Sequence, residues 1–585
     1  MTDSPNGIDA WTKVSDVLAD DRAVNVLRIN APDLLIPAQT FAGFPLGIFL
    51  KIQLRADPAS VDRVLDHLKA IPDPSPPRAI DKARAPAADY EDLATAVGSA
   101  RVDIAAHAGT DQPIELVISG PSHGNPFVDV ELTAEFHQGS EVAVVGGFYD
   151  GLGVYRIRFL APEPGIWKFT TSSNARSLDG LVGDVVVHPS AGRGPVRVQG
   201  SGFAHADGTP FVPFGTTAYA WTHQPEAVQN QTLASLATAP FNKLRMGLFP
   251  KSFIYNENDP ENYVFPRTED GGWDFERFDL DFFRHLEGRI HELGALGIEA
   301  DLILFHPYDR WGFSELSPAT DDRYVRYVIR RLAGFTNIWW SLANEYELLT
   351  AKRPDDWNRL GRLVEAEDHV RHPRSIHNIV EPWDTDSPWV THASIQLSDP
   401  SIGDRTEDWR GRWPAKPVVI DEMGYDGDLD QGWGSLPAEE LLIRFWQVTL
   451  RGGYATHGET IWRDDELIFW AKGGTLVGES PARIGFLREI VAESPTGRID
   501  ALLSQFDAVW GGVADRYVLI HFGRGRPAFR NVPVPDGFAA RLSVIDSWNM
   551  TIEEQPGVHT GTVRISLPGR QHIVVRLVLE KIHGE

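Results

Sequence analysis

The chain has 585 residues, with 55 Lys and Arg against 81 Asp and Glu, a formal net charge of −26 and no cysteine. That length exceeds one ordinary core and predicts three or four domains, while the acidity argues against nucleic acid and anionic membrane surfaces as partners. Without thiols there are no disulfides and no thiolate metal sites; with no basic-then-apolar leader in MTDSPNGIDAWTKVSD and no apolar run of roughly 18 residues, cytoplasmic residence without a membrane partner is expected.

Residues 1–95 read as a small helical accessory segment. Val14, Val17 and Leu18, and again Val61, Val64, Leu65 and Leu68, recur at helical spacing, and PDPSPPRAIDKARAPA, from Pro72, is a linker by composition. The wording LADDRAVNVLRINAPDLL is similar to a short helical segment appended to some carbohydrate-active enzymes; docking or homo-oligomerisation is one expectation for it, and a small helical domain packed against its neighbour without chemistry is the other. Residues 99–192 alternate with period two in VDVELTAEF, EVAVVGGFYD, VYRIRFLAP and GIWKFTTSS, broken by Gly, Pro and Asp turns, and predict a β-sandwich with Tyr155 and Trp167 in its core.

From residue 200 to 494 strand, loop and helix repeat, as a (β/α)8 barrel requires. The expected strands cover 210–221, 241–249, 298–307, 337–345, 375–381, 389–398, 417–424 and 453–461. Helices are expected over DLDFFRHLEGRIHELGALG, DDRYVRYVIRRLAGF and AEELLIRFWQVTLRGG, each ending near a glycine, and the loops GGWDFERF and QGWGSLP are long enough to shape a pocket. Fourteen of the 18 Trp fall between Trp221 and Trp470, and about a third of them are expected to line a site, where aromatic planes stack on sugar rings. Residues 495–585 return to alternation in RYVLIHFG, AARLSVIDSW, GTVRISLPG and HIVVRLVLEKI, and predict a second β-sandwich.

The organising stretch is FTNIWWSLANEYE, residues 335–347. An aromatic run ending abruptly in Asn344 and Glu345 reads as a buried parallel strand whose last residues emerge into a polar site. Ser341 and Ala343 share a side with Glu345, so small residues are expected inside the barrel, with Trp340 and Leu342 facing the helices. In PVVIDEMGYDGD, residues 417–428, Glu422 shares a face with Val418 and Ile420 by the same alternation. Two carboxylates ending two parallel strands can supply an acid and a nucleophile to one acetal carbon. Asp421 and Glu347 are the nearest rivals for those roles, and no HExxH suggests a metal.

At these residues the chain resembles clan A glycoside hydrolases, retaining enzymes on a (β/α)8 barrel. GFYDGLGVYRIRF and SNARSLDG look like the N-terminal sandwich, and GTTAYAW, WWSLANEYE, DEMGYDG, GGYATHGET and SLPGR like the barrel and tail, of a bacterial glycosidase-like group long listed as domains of unknown function. The resemblance covers roughly residues 100–585. It implies Glu345 as general acid/base, Glu422 as nucleophile, Asn344 on the sugar's 2-hydroxyl and Arg245 beside the nucleophile. His306, His392 and Trp462 sit where the clan puts sugar contacts, with His392 as the expected orienter of Glu422 and Gln396 as a second polar group; Tyr308, Tyr425 and His457 are further candidate substrate contacts. The fold expected is thus a (β/α)8 barrel between two β-sandwiches, and the activity O-glycoside hydrolysis, exo-acting on a pyranoside or pentofuranoside. Its partner is a carbohydrate, and its chemistry requires no metal or organic cofactor. A transglycosylase using the same glutamates, and a protein that only binds carbohydrate, are the alternatives.

Overall fold

The computed structural model describes residues 7–55, 57–75, 84–104, 108–253, 255–504 and 507–582, so residues 76–83 of the predicted linker lie outside the described residues. At its centre are eight parallel strands: Phe214–Thr217 (β1), Lys243–Gly247 (β2), Glu299–Phe305 (β3), Ile338–Ala343 (β4), Arg374–Ser375 (β5), Ala393–Gln396 (β6), Val418–Glu422 (β7) and Tyr454–His457 (β8). They form one sheet in the order β5-β4-β3-β2-β1-β8-β7-β6, and a parallel bridge between His377 and Ser394 joins the two ends into a barrel. Seven of the predicted strands each contain one of these, and the predicted strand 375–381 meets β5 only at Ser375. Helices such as Leu280–Ala295, capped by Asp279, and Pro318–Leu332, capped by Ser317, ring the outside. Among the described residues the connection from β5 to β6 carries no helix, a departure from the expected repeat.

Trp340 and Leu342 of β4 pack among the helices, as their alternation requires. Trp339 departs from the expectation that only small residues face inward. It lies on the barrel floor, 4.6 Å from Phe203 and 6.1 Å from Phe211 between ring centres, because a three-stranded sheet over residues 196–211 closes that end and supplies an apolar lid. Above the floor, Lys243 Nζ stands 2.7 Å from Asp301 and 2.8 Å from Asp421, and Ser394 and Thr456 donate to Asp421 as well. Buried charges of this kind persist only when paired and hydrogen-bonded.

The alternation in β7 is interrupted. Ile395 faces Ile420 and Gln396 faces Glu422, so Asp421 is an extra residue, a β-bulge. Val418 and Ile420 pack outward among the helices, whereas Val419 faces the floor. Strict alternation would therefore send Glu422 outward with Val418 and Ile420. The bulge turns it back, so Asp421 and Glu422 both point into the barrel. The expected face of Glu422 is corrected here, and the cause is one inserted residue.

Two sheets, one of four antiparallel strands and one of five that is antiparallel except for the parallel edge strand Ala108–Gly109, precede the barrel and enclose Tyr155 and Trp167. A six-stranded sheet with a two-stranded companion follows it, around Ile520, Leu542 and Val575. Among the described residues up to Leu68 there are five α-helices, Val14–Ala19 (α1), Asp21–Asn30 (α2), Leu35–Thr40 (α3), Leu46–Gln53 (α4) and Pro58–Leu68 (α5). Their core joins Val17, Leu27, Phe49, Val61 and Leu68. No helix among the described residues is long and apolar enough to cross a membrane.

Candidate active site

The site is built where β4 and β7 end. After Ala343 the chain must leave the strand while keeping two polar side chains over the barrel mouth, and Glu345 takes a left-handed backbone with φ 48°. A non-glycine residue there is strained, and such strain is held by surrounding contacts. Glu345 is only 4% exposed. The Tyr308 hydroxyl donates to its Oε2, and Gln396 lies beside it. Burial, and then the charge of Glu422, push the Glu345 carboxyl up to about 7 against the opposing pull of Tyr308, Lys251 and Gln396.

Glu422 has a different environment. The Tyr219 hydroxyl donates to Oε1, Arg245 Nη1 stands 3.8 Å from that oxygen, and His377 Nε2 stands 3.9 Å from it. Burial opposes the charge of Arg245, but Asp421, Asp301 and Glu422 hold it charged. Arg245 Nη2 also donates to Asn344 Oδ1 at 3.0 Å, which fixes the orientation of that amide. His377 is held neutral, its pKa far below the ordinary value through burial and the nearby Arg245.

Between the two tyrosines lies Lys251. Its Nζ is 3.8 Å from the Tyr219 ring centre and 4.3 Å from those of Tyr308 and Trp470, a cation–π arrangement that compensates part of its lost hydration. Burial lowers its pKa to about 8 although Glu422 and Glu345 favour its charge.

A cavity of about 580 Å3 opens over both glutamates, lined by Tyr308, Gln396, Tyr425, Trp433, Trp470 and Phe253 among others; that size suits a small ligand. Glu345, Glu422, Asn344, Arg245, Tyr308, Gln396 and Tyr425 thus come together in one place. His306 lies one layer down, its Nε2 3.1 Å from the Phe249 carbonyl, beside Lys251 and Asn344 around a smaller void.

Three expected contacts are elsewhere. His392, at the foot of β6, packs edge-on against Phe203 and Trp339 of the floor, so it cannot orient Glu422; Tyr219 and His377 are the groups beside that carboxylate. His457 is buried in the barrel, with Nδ1 2.9 Å from Thr216 Oγ1 and its ring stacked on Phe241. Trp462 is 48% exposed on the outer rim, and Trp470, eight residues on, lines the cavity instead. Of the Trp-rich region only Trp433 and Trp470 are among the lining residues, fewer than the third expected; apart from the exposed Trp462, the others are buried or partly buried. The QGWGSLP loop supplies Trp433, whereas Trp273 of GGWDFERF packs on Phe313.

Tyr219, Lys251, His377, Trp433 and Trp470 are the site residues that sequence reasoning missed. Tyr219 lies within the quoted GTTAYAW stretch, and Lys251 is a lone cation in the aromatic run FPKSFIY; both are detectable signals. The rivals have other work: Asp421 pairs with Lys243, and Glu347 accepts backbone N–H groups from Ile379, Val380 and Glu381. Among the described residues no group of three or more His, Cys, Asp or Glu is arranged to hold a metal ion. A carboxyl poised near neutrality beside one ringed by donors and cations can divide acid and anionic roles between them.

Residues 199–458 match the apiosidase-like catalytic domain, residues 111–174 a domain of unknown function (DUF5060) and residues 506–578 another (DUF5605). The helices α1–α5 lie outside all three. A candidate glycoside hydrolase from Bacteroides vulgatus ATCC 8482 shares 38% identity with a TM-score of 0.76, over 81% of this chain and 99% of that one. A glycoside hydrolase family 5 structure from the same organism, at 14% identity and a TM-score of 0.53, covers 66% of this chain and 94% of its own, a likeness of fold. No curated protein matches the sequence. With a (β/α)8 barrel between two β-domains, and a relative of this identity matched along nearly its whole length, the chain belongs to the glycoside hydrolases with an apiosidase-like catalytic domain.

Proposed function

We propose that the chain is a retaining, exo-acting O-glycosidase in which Glu345 is the acid/base and Glu422 the nucleophile. The observation that carries this is the asymmetry of the pair: Glu345 is raised to about 7, whereas Glu422 receives a tyrosine hydroxyl and lies beside Arg245. Glu345 gives its proton to the leaving oxygen as a Glu422 carboxylate oxygen attacks the anomeric carbon and the glycosidic bond breaks. Once Glu422 is an ester its charge is gone, Glu345 loses the repulsion that raised it, and its carboxylate takes a proton from water, whose oxygen attacks the same carbon and frees Glu422. Asn344, its oxygen held by Arg245, offers its NH2 to the sugar's 2-hydroxyl.

Exo action is supported by the modest volume of the cavity, and a pentofuranoside by the apiosidase-like match. The test is hydrolysis of 4-nitrophenyl α- and β-glycosides, pyranose and furanose, including the apiofuranoside, with the anomer first released read by proton NMR. We expect one glycone to turn over with retention, and Glu422→Ala to lose at least roughly 10^4-fold in kcat. Inversion, or full activity in Glu422→Ala and Glu345→Ala, would overturn the assignment.

A further inference from the structure

The catalytic cavity is not made by the barrel alone. Lys13, just before α1, Thr40, the last residue of α3, and Gly43 and Phe44, between α3 and α4, belong to its lining. The helical segment that supplies them is pinned to the barrel mouth at three connections. Lys13 Nζ is 2.9 Å from Glu315 after β3, Arg353 Nη1 after β4 is 3.4 Å from Asp9, and Lys51 Nζ is 2.6 Å from Glu381 after β5. Trp11 packs on the barrel core beneath the Arg353 guanidinium.

Those connections are the ones on the Glu345 side of the cavity, where Ser314, Leu348, Ala351 and Ile379 continue the wall. A general acid protonates the leaving oxygen, so the departing group lies on the side of that acid. Phe44 is half-buried there, its ring held edge-on by Phe41 at 5.0 Å, and a fixed aromatic face is what the apolar face of a sugar ring stacks on.

We propose that the N-terminal helices complete the leaving-group subsite, with Phe44 as the stacking face for a sugar leaving group. Selectivity for the leaving group is then set by a segment outside the family's matched domains, while the glycone is read by the barrel. The inference rests on the glycosidase assignment for the direction of the cavity, and its test separates the two.

Two substrates with the glycone that the 4-nitrophenyl panel selects are compared: a disaccharide, whose leaving sugar fills the subsite, and the glycosyl fluoride, whose leaving fluoride does not. Phe44→Ala is expected to lower kcat/KM about 10-fold on the disaccharide and to leave the fluoride within about 2-fold. Gly43→Trp guards against a Phe44 variant that fails to fold, since a Cβ at Gly43 meets nothing within 4 Å. It should fill the subsite and give the same split. Equal losses on both substrates, or none on either, would overturn the subsite and leave the glycosidase standing. Calorimetry with a set of reducing disaccharides on Glu345→Gln, with and without Phe44→Ala, reads the subsite without turnover. Binding weakened by Phe44→Ala in a protein that hydrolyses nothing would keep the subsite and sink the glycosidase, and no binding with no hydrolysis would sink both.

Discussion

A carboxyl at about 7 in one residue of a pair has a direct kinetic consequence. Glu345 works as an acid only while protonated, so kcat/KM should be full below about 7 and fall as pH rises through that value. Tyr308 donates to the Glu345 carboxylate and holds its pKa below what burial and Glu422 alone would give. Tyr308→Phe should therefore move the alkaline limb of the profile to higher pH, by about one unit for one charge-assisted hydrogen bond. A limb left in place, measured on the same glycoside, would mean that another group sets it. How much of this was legible in the sequence depends on chemistry type. The glutamates stand out because charge at the end of an apolar strand is expensive without a purpose, but Tyr219 and Trp470 are drawn from residue types that cores also use, and nothing local separates the two uses. His392 and His457 show the converse, polar groups on barrel strands that are layers of the core.

Strand existence and order are readable because a doubly covered parallel strand is a nearly unbroken apolar run. Which way each side chain points at the strand end is not, because one bulged residue reverses the alternation, as at Asp421. That residue is tied down by Lys243, which also holds Asp301, all three buried. Lys243→Met would take from two buried carboxylates the cation that hydrogen-bonds both and leave only Arg245, 3.9 Å from Asp301, and we expect it to destabilise the barrel by about 3–5 kcal/mol at neutral pH, read from the guanidinium midpoint. The sign with pH follows from Asp421. Burial opposes its charge, but Lys243 and Arg245 outweigh it and hold its pKa well below the ordinary carboxylate range. Its contribution is therefore present above the unfolded pKa and is lost as pH falls towards the folded one. With Lys243 gone the depression shrinks, so wild type and variant should converge in acid. A gap that stays constant from neutral to acid pH would contradict the ion-pair account.

At the scale of the whole molecule, the stretch GFYDGLGVYRIRF does more than build a sandwich. Asp150 and Arg158 reach across to the barrel helices, where Arg331 Nη1 lies 2.9 Å from Asp150 and its Nε 2.6 Å from Glu287. Arg158 Nη1 meets the same Glu287 at 2.7 Å and the Arg331 carbonyl at 2.7 Å. Arg331 is 1% exposed, and its guanidinium also lies over the rings of Phe148 and Phe283. This network joins two domains through charges removed from water, so breaking it leaves Asp150 and Glu287 short of a partner inside the interface. Arg331→Met should cost about 3–5 kcal/mol and loosen the sandwich from the barrel, so that calorimetric unfolding separates into an early sandwich transition and a later barrel one. The exposed pair Arg541–Glu580, at 65% and 64% side-chain exposure, is the control. Arg541→Ala should change stability by less than about 1 kcal/mol and leave the trace unaltered, because its partner remains solvated. If Arg331→Met shifted the trace no more than Arg541→Ala does, the interface would be held by its apolar contacts, and the buried arginine would be there for register alone.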